Sequence, residues 1–252
     1  MNEDWQGKVA IVTGGSSGIG EATALALAAQ GANVITTGRN EAKLAGVAAK
    51  SEAVATVRAD AADPMGSRRI VEAALSRWGR LDLIINNAGA GMPLPIDAYD
   101  GESIAEICAV NITGPSLLLK EALPALRQTK GAVVNIGTAV AQNAAPGLSH
   151  YAATKAALEH LTRSWAIELS GDGIRVNAIA PGPVKTGALT GMMGLSPEMA
   201  STIEEAEAAE IPLGRRGATT DLVPWILRLG SAANEWLTGQ VITIDGGWSQ
   251  RG

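Results

Sequence analysis

"VAIVTGGSSGIGEATALALAAQGANVIT", Val9 to Thr36, decides the fold. Its opening "VAIVT" is almost wholly apolar, as a strand must be when helices cover both sheet faces. Gly14, Gly18 and Gly20 then fall in a turn, and Ile19–Gln30 reads as a helix. Without side chains, the backbone N–H groups of such a turn can approach a phosphate, and the helix N-terminus adds partial positive charge. Glycines also serve turns for purely conformational reasons. The strand before and the helix after favour the ligand-binding reading, a dinucleotide cradle.

Outward from this unit the same rhythm continues. Asn33–Thr37, Val54–Arg58, Leu81–Ile85, Ala132–Ile136, Ile174–Ile179 and Val241–Ile244 read as further strands. Helical patterns lie between most of them, at Glu41–Lys50, Ser67–Trp78, Glu102–Ile112, Ser116–Arg127, His150–Ser170 and Thr219–Leu229. Repeated β-α-β units with short links imply an α/β fold: one doubly wound parallel sheet of about seven strands, Rossmann-type, with helices on both faces. No repeat, charge block or linker divides the chain, so residues 1–252 read as one domain. The stretch from Lys185 to Gly217 contains no strand signal and is too long for an ordinary connection. Residues 186–216 are expected to be a lid, with "SPEMASTIEEAEAAE" a short helix bearing a solvated acidic face.

Composition excludes several classes. At 252 residues and 46% apolar, the chain can bury a large core. A net charge of −5 argues against a nucleic-acid partner, which needs a basic surface. No apolar run approaches the roughly 18 residues of a membrane span. The acidic start "MNEDWQGK" does not suit a secretory signal. The single cysteine, Cys108, permits no intrachain disulfide, which fits a reducing compartment, and the cytoplasm is the expected location. Cys108 lies among Ile104, Ala105, Ile107 and Val110 and is expected to be a small core residue. His150 and His160 have no metal-ligand spacing, and no metal is expected.

The end of the second strand reads "VITTGRNE". An acid there would hold a ribose 2′-hydroxyl, whereas an Arg accepts a 2′-phosphate. No acid stands at Thr37 or Gly38, and Arg39 follows, so NADP(H) is favoured and NAD(H) remains an alternative.

With these motifs in hand, the sequence resembles the short-chain dehydrogenase/reductase family, in its compact, 3-oxoacyl reductase-like branch, from about Gly7 to Gly247. "TGGSSGIG" at Thr13–Gly20 is similar to the family's cofactor turn, which includes Gly14, Ser16, Ser17, Gly18, Ile19 and Gly20. "NNAG" at Asn86–Gly89, "VNITGP" with Asn111, "YAATK" with Tyr151 and Lys155, "RVNAIAPGPVKT" and "TGQVITIDGG" follow in the family's order. The resemblance implies that Asp60 and Ala61 approach the adenine, and that Asn87, Ala88 and Gly89 line the adenosine side. Pro181, Gly182, Val184 and Thr186 would surround nicotinamide and pyrophosphate. NADP users in the family often carry a basic residue just before the second glycine of the turn. Here that residue is Ser17, which leaves Arg39 as the main support for NADP.

Tyr151 and Lys155 stand at i and i+4, on one helix face. A free phenol has a pKa near ~10, and a nearby ammonium is expected to lower it so that Tyr151 can act as general acid/base at neutral pH. Alone, the pair could be an amphipathic residue and a solvated charge; the phosphate cradle and the Asn111 segment give it catalytic weight. Of the two tyrosines, Tyr99 has no Lys partner and reads as packing or a pocket edge. In the family, Asn111 holds a water in a proton relay with Lys155; a buried Asn capping a helix irregularity is a compatible reading. The family's substrate-side hydroxyl is a Ser thirteen residues before the Tyr, and the residue here is Thr138. Thr keeps the donor and both lone pairs, adds a methyl and stiffens χ1. Ser149 is expected to cap the Tyr151 helix. Met92, Val140, Leu148, Met192 and Met193 lie on loops expected to rim the substrate pocket.

A small carbonyl/alcohol substrate is therefore expected, reduced or oxidised by hydride transfer. Carrier-protein docking in the family uses two basic positions, which fall at Thr129 and Asp172 with Lys130 adjacent; this weakly disfavours a carrier-bound substrate. The resemblance also implies a homotetramer, or a homodimer, pairing helices Ser116–Arg127 and His150–Ser170 across a two-fold. The competing function is a non-catalytic dinucleotide-binding regulator or scaffold, because fold does not prove activity.

Overall fold

Each apolar run read as a strand becomes one. A computed structural model describes residues 5–250; the acidic start, residues 1–4, lies outside them. The strands are β1 (Val9–Val12), β2 (Asn33–Gly38), β3 (Val54–Arg58), β4 (Leu83–Asn86), β5 (Ala132–Ile136), β6 (Arg175–Pro181) and β7 (Val241–Ile244). The helices are α1 (Gly18–Ala29), α2 (Glu41–Ala48), α3 (Pro64–Trp78), α4 (Gly101–Cys108), α5 (Gly114–Thr129), α6 (Ser149–Leu169), α7 (Ala188–Gly191), α8 (Pro197–Glu210) and α9 (Thr219–Gly230).

The strands form one seven-stranded sheet in the order β3-β2-β1-β4-β5-β6-β7, every pair parallel. Strand alternation explains the two cores. Ala10, Val12, Leu83, Ile85, Ala132 and Val134 face α1 and α9, whereas Val9, Ile11, Ile84 and Val133 face α3, α5 and α6. All these strand residues are buried, as expected for a sheet covered on both sides. The chain reverses direction of winding between β1 and β4. A doubly wound sheet binds its ligand in the crevice opened at that switch, beyond the carboxyl ends of the strands.

Local chemistry sets the element ends. Asp63 caps α3 by accepting from the Met65 N–H at 2.9 Å, Pro64 starts the helix, and Gly79 ends it at φ 71°. The expected continuous helix 102–112 is instead α4 followed by a π-helical turn, Ala109–Thr113, which runs into α5. Such a bulge inserts a residue into the helical ladder, and it carries Asn111. Ser149 is the first helical residue rather than the cap: Leu148 occupies the N-cap, with no side-chain capping bond. Cys108 is only half-buried, because it stands at the last position of α4. The segment after β6 contains α7 and α8.

Candidate active site

The turn from β1 into α1 is shaped for a phosphate. Gly14 has φ +64°, and a Cβ there would lie 2.8 Å from Ala88 Cα; Gly18 has φ +58°, with Thr186 Cβ at 3.1 Å from such a Cβ. Both positions therefore require glycine, and both bring distant loops onto the turn. Ser17, extended, precedes α1 without a side-chain capping bond, and Ile19 and Gly20 open the helix. The first amides of α1 are thus left to a ligand. Beyond the turn, a cavity lined by Thr13, Thr37, Asp60, Ala61 and Ala88 lies beside Gly114 on the β1–β4 crevice. The strand, the two positions that require glycine and the uncapped helix start together have the form that receives a dinucleotide's phosphates.

The chain's nucleotide-side expectations separate here. Asn87 spends its amide on the carbonyls of Thr13 (2.8 Å) and Gly14 (3.1 Å), so it braces β4 against the glycine turn. Arg39 is exposed just beyond β2, and the Ser16 hydroxyl packs beside Gly38, 3.1 Å from where a Cβ would be. The β2–β3 register places Arg58 opposite Gly38, where it pairs with Glu41 at 3.6 Å. Sequence reading missed this second cation, since strand register alone brings residues 38 and 58 together.

On the other side of the crevice, the ends of β4, β5 and β6 meet α6 and the π-turn. Lys155 is buried and donates to the Ile136 carbonyl at 2.8 Å. Asn111 is fully buried: its amide donates to the Ala90 carbonyl (2.8 Å) and the Thr154 hydroxyl (2.9 Å), and its oxygen accepts from the Ala90 N–H (2.9 Å). Gly89 lies between the two, since a Cβ there would stand 3.3 Å from Lys155 Nζ and 3.5 Å from Asn111 Oδ1. Thr138, buried just past the end of β5, accepts from the Val140 N–H at 3.4 Å and makes a long contact of 3.5 Å to the Pro181 carbonyl, and its hydroxyl favours the charged form of the Tyr151 phenol. Gly91 lies on the phenol ring, 2.7 Å from Tyr151 Cδ2 for a Cβ built there. Gly182 donates to the Ile244 carbonyl at 3.0 Å, and Val184 forms an isolated bridge with Gly217. Tyr151, Lys155, Thr138 and Asn111 are therefore brought to one place.

The electrostatics differ from the sequence expectation. Burial raises the Tyr151 phenol above its ordinary value, and the Thr138 hydroxyl opposes that rise. Burial also lowers Lys155 to about 8, with Glu159 acting in the opposite direction. The expected depression of the phenol by the ammonium is not seen, because Lys155 is turned to the Ile136 carbonyl and desolvation dominates both groups.

Met92, Val140, Leu148, Met192 and Met193 are all half-buried and follow the carboxyl ends of β4, β5 and β6. Tyr99 packs edge-on to His150, with ring centroids 4.5 Å apart. The acidic face of α8 is not wholly solvated: Glu204 and Glu207 pair with Arg216, which is buried and donates to the Val184 carbonyl at 3.1 Å. The Arg folds beneath the helix from the far end of the same segment, a contact that periodicity cannot show. Glu159, buried one turn below Lys155, was also missed, although its spacing of eight from Tyr151 puts it on the same helical stripe. Among the described residues, no cluster of potential metal ligands occurs and no helix is long and apolar enough to cross a membrane.

Comparison with known proteins agrees with this geometry. A family model described as enoyl-(acyl carrier protein) reductase matches residues 14–249. A 3-oxoacyl-[acyl-carrier-protein] reductase of Thermotoga maritima is 35% identical over 247 residues, spanning 96% of this chain and 98% of that relative. A short-chain dehydrogenase/reductase of unknown function from Caenorhabditis elegans, solved with cofactor, superposes with a TM-score of 0.91 at 33% identity, covering 98% of this chain and 97% of that one. A 3-ketoacyl-(acyl-carrier-protein) reductase from Brucella melitensis, complexed with NADH, gives 0.89 at 31% identity, covering 97% and 99%. The chain belongs to the short-chain dehydrogenase/reductase family, the NAD(P)-dependent oxidoreductases acting on CH–OH and C=O.

Proposed function

We propose that this chain is an NADP(H)-dependent reductase of a small ketone, or dehydrogenase of the matching secondary alcohol, with Tyr151 as general acid/base. The observation that carries the reading is the gathering of Tyr151, the buried Lys155 and the buried Asn111 around Gly89 and Gly91, with Lys155 held on the Ile136 carbonyl just before Thr138. When bound, the nicotinamide supplies or accepts the hydride. Gly14, Ser16, Ser17, Gly18, Ile19 and Gly20 would hold its phosphates, Asp60, Ala61, Asn87, Ala88 and Gly89 the adenosine, and Pro181, Gly182, Val184 and Thr186 the nicotinamide side. Arg39 would accept the 2′-phosphate.

Thr138 Oγ1 orients the substrate oxygen by hydrogen bonding. Tyr151 gives that oxygen its proton in reduction and takes one from the hydroxyl in oxidation. Lys155 supplies positive charge beside the phenol, and Asn111 fixes the π-turn that closes the pocket wall next to Gly89. Residues 186–216, which carry the half-buried Met192 and Met193, act as the lid.

Relatives are named for carrier-bound substrates, but the docking positions here argue for a free one. Asp172 is acidic and ion-pairs with Arg127 at 2.8 Å, while the Thr129 hydroxyl donates inward to the Leu81 carbonyl at 2.7 Å. A homotetramer or homodimer in the cytoplasm completes the proposal. The test follows NADPH and NADH absorbance in parallel against ketones, ketoesters and quinones, for wild type and Tyr151→Phe. NADPH-preferring turnover that Tyr151→Phe loses while still binding cofactor supports the reading; wild-type rates in Tyr151→Phe would sink it.

A further inference from the structure

Glu159 is the buried titratable group that this mechanism leaves unused. Its residue is only 6% exposed, and its Oε1 has no hydrogen-bond partner. Burying a carboxylate without a close ion pair is costly, so its position calls for a reason. The helix supplies one. Tyr151, Lys155 and Glu159 rise in successive turns along one stripe of α6. Lys155 and Glu159 meet consecutive residues at the end of β5: Lys155 donates to the Ile136 carbonyl, and Glu159 lies against Gly137.

Gly137 has been cut to fit. A Cβ there would stand 3.0 Å from Glu159 Oε1 and 3.3 Å from the Ile179 carbonyl.

We propose that Glu159 is a positioning residue: its buried carboxylate, seated against Gly137 one helical turn from Lys155, provides the counter-charge that keeps Lys155 protonated in the site. This rests on the reading of Tyr151 as the proton-transfer group.

The charges around the pair are few. Lys155 faces Tyr151 and Glu159 from its own helix, the uncharged Asn111 across Gly89, and the Ile136 carbonyl from β5. Glu159 faces Lys155 and Arg163 from its own helix, and backbone groups of Gly137, Thr138 and Ile179 from β5 and β6. Glu159 acts to raise Lys155 against the lowering caused by burial, and burial raises Glu159 itself above the ordinary carboxylate range.

Two variants separate charge from shape. Glu159→Gln keeps the shape but loses the charge; Glu159→Asp keeps the charge and loses the fit. The measurement is the pH profile of kcat/KM for reduction of a ketone that wild type turns over with NADPH, with a thermal melt of each variant. The alkaline limb should move about one unit toward lower pH in Glu159→Gln and stay in place in Glu159→Asp. A Glu159→Gln limb superimposed on wild type overturns the proposal. Should Glu159→Gln fail to melt cooperatively, Glu159→Met, which removes the charge without leaving a buried polar group, decides: a limb moved to lower pH supports the charge role, and an unmoved one overturns it. Loss of activity in Tyr151→Phe, measured alongside, shows that such a failure belongs to Glu159 and not to the reading of the site.

Discussion

Thr138 shows what a single side chain contributes. Its hydroxyl favours the charged form of the Tyr151 phenol, and its own φ and ψ, −163° and 145°, continue the extended path of β5. Thr138→Ser should keep kcat/KM close to wild type, because the donor is retained. Thr138→Ala should lower it on the order of 100-fold, the usual loss for one oxyanion-type donor; steady-state kinetics on one ketone checks both. Lys155 makes a prediction with a sign. Its folded value is lowered to about 8, so it is cationic below that pH and neutral above it. Reduction that needs the cation should therefore hold below pH 8 and fall above it, and Lys155→Met should lose activity together with that limb. The hydroxyl at 138 was legible from the family resemblance, which places it thirteen residues before Tyr151. The Lys155 contact with the Ile136 carbonyl was not, since it depends on how α6 lies across the end of β5.

At the scale of elements, helix and strand identities were largely legible, and their irregularities were not. The period-3.6 pattern through residues 102–112 is satisfied as well by a helix with a π-turn as by a regular one. What selects the π-turn is tertiary: Asn111 there completes bonds to Ala90 and Thr154. Arg175 makes the same point for α9. At the start of β6 it is buried and donates to the carbonyls of Leu229, Gly230 and Ser231 at 2.9, 3.0 and 2.9 Å. Those are the orphan carbonyls of a helix C-terminus, where a cation is also favoured by the helix dipole. Arg175→Met should destabilise the fold by about 2–3 kcal/mol, the scale of losing buried hydrogen bonds to a charged donor. Urea denaturation read by circular dichroism measures it, and a change within error of zero would refute the assignment.

For the whole molecule, the switch in winding between β1 and β4 opens the crevice, and the site residues come to it from elements scattered along the chain. Arg39 stands at one end of that crevice and Tyr151 belongs to the other, so cofactor choice and proton transfer should separate experimentally. Arg39→Ala should weaken NADPH binding by about tenfold or more and leave NADH binding nearly unchanged. Fluorescence titration of both nucleotides decides this, and equal weakening of both would count against a 2′-phosphate contact. The sequence by itself determined the parallel sheet, the glycine cradle and the Tyr151–Lys155 pair, because apolar periodicity, glycine spacing and i,i+4 geometry are local. Only the tertiary structure decided that Arg58 lies opposite Gly38, that Arg216 sits beneath the acidic face of α8, and that Glu159 fits against Gly137. Those contacts join residues far apart in the chain through strand register and helix packing, and burial then sets the charge state of the groups they enclose.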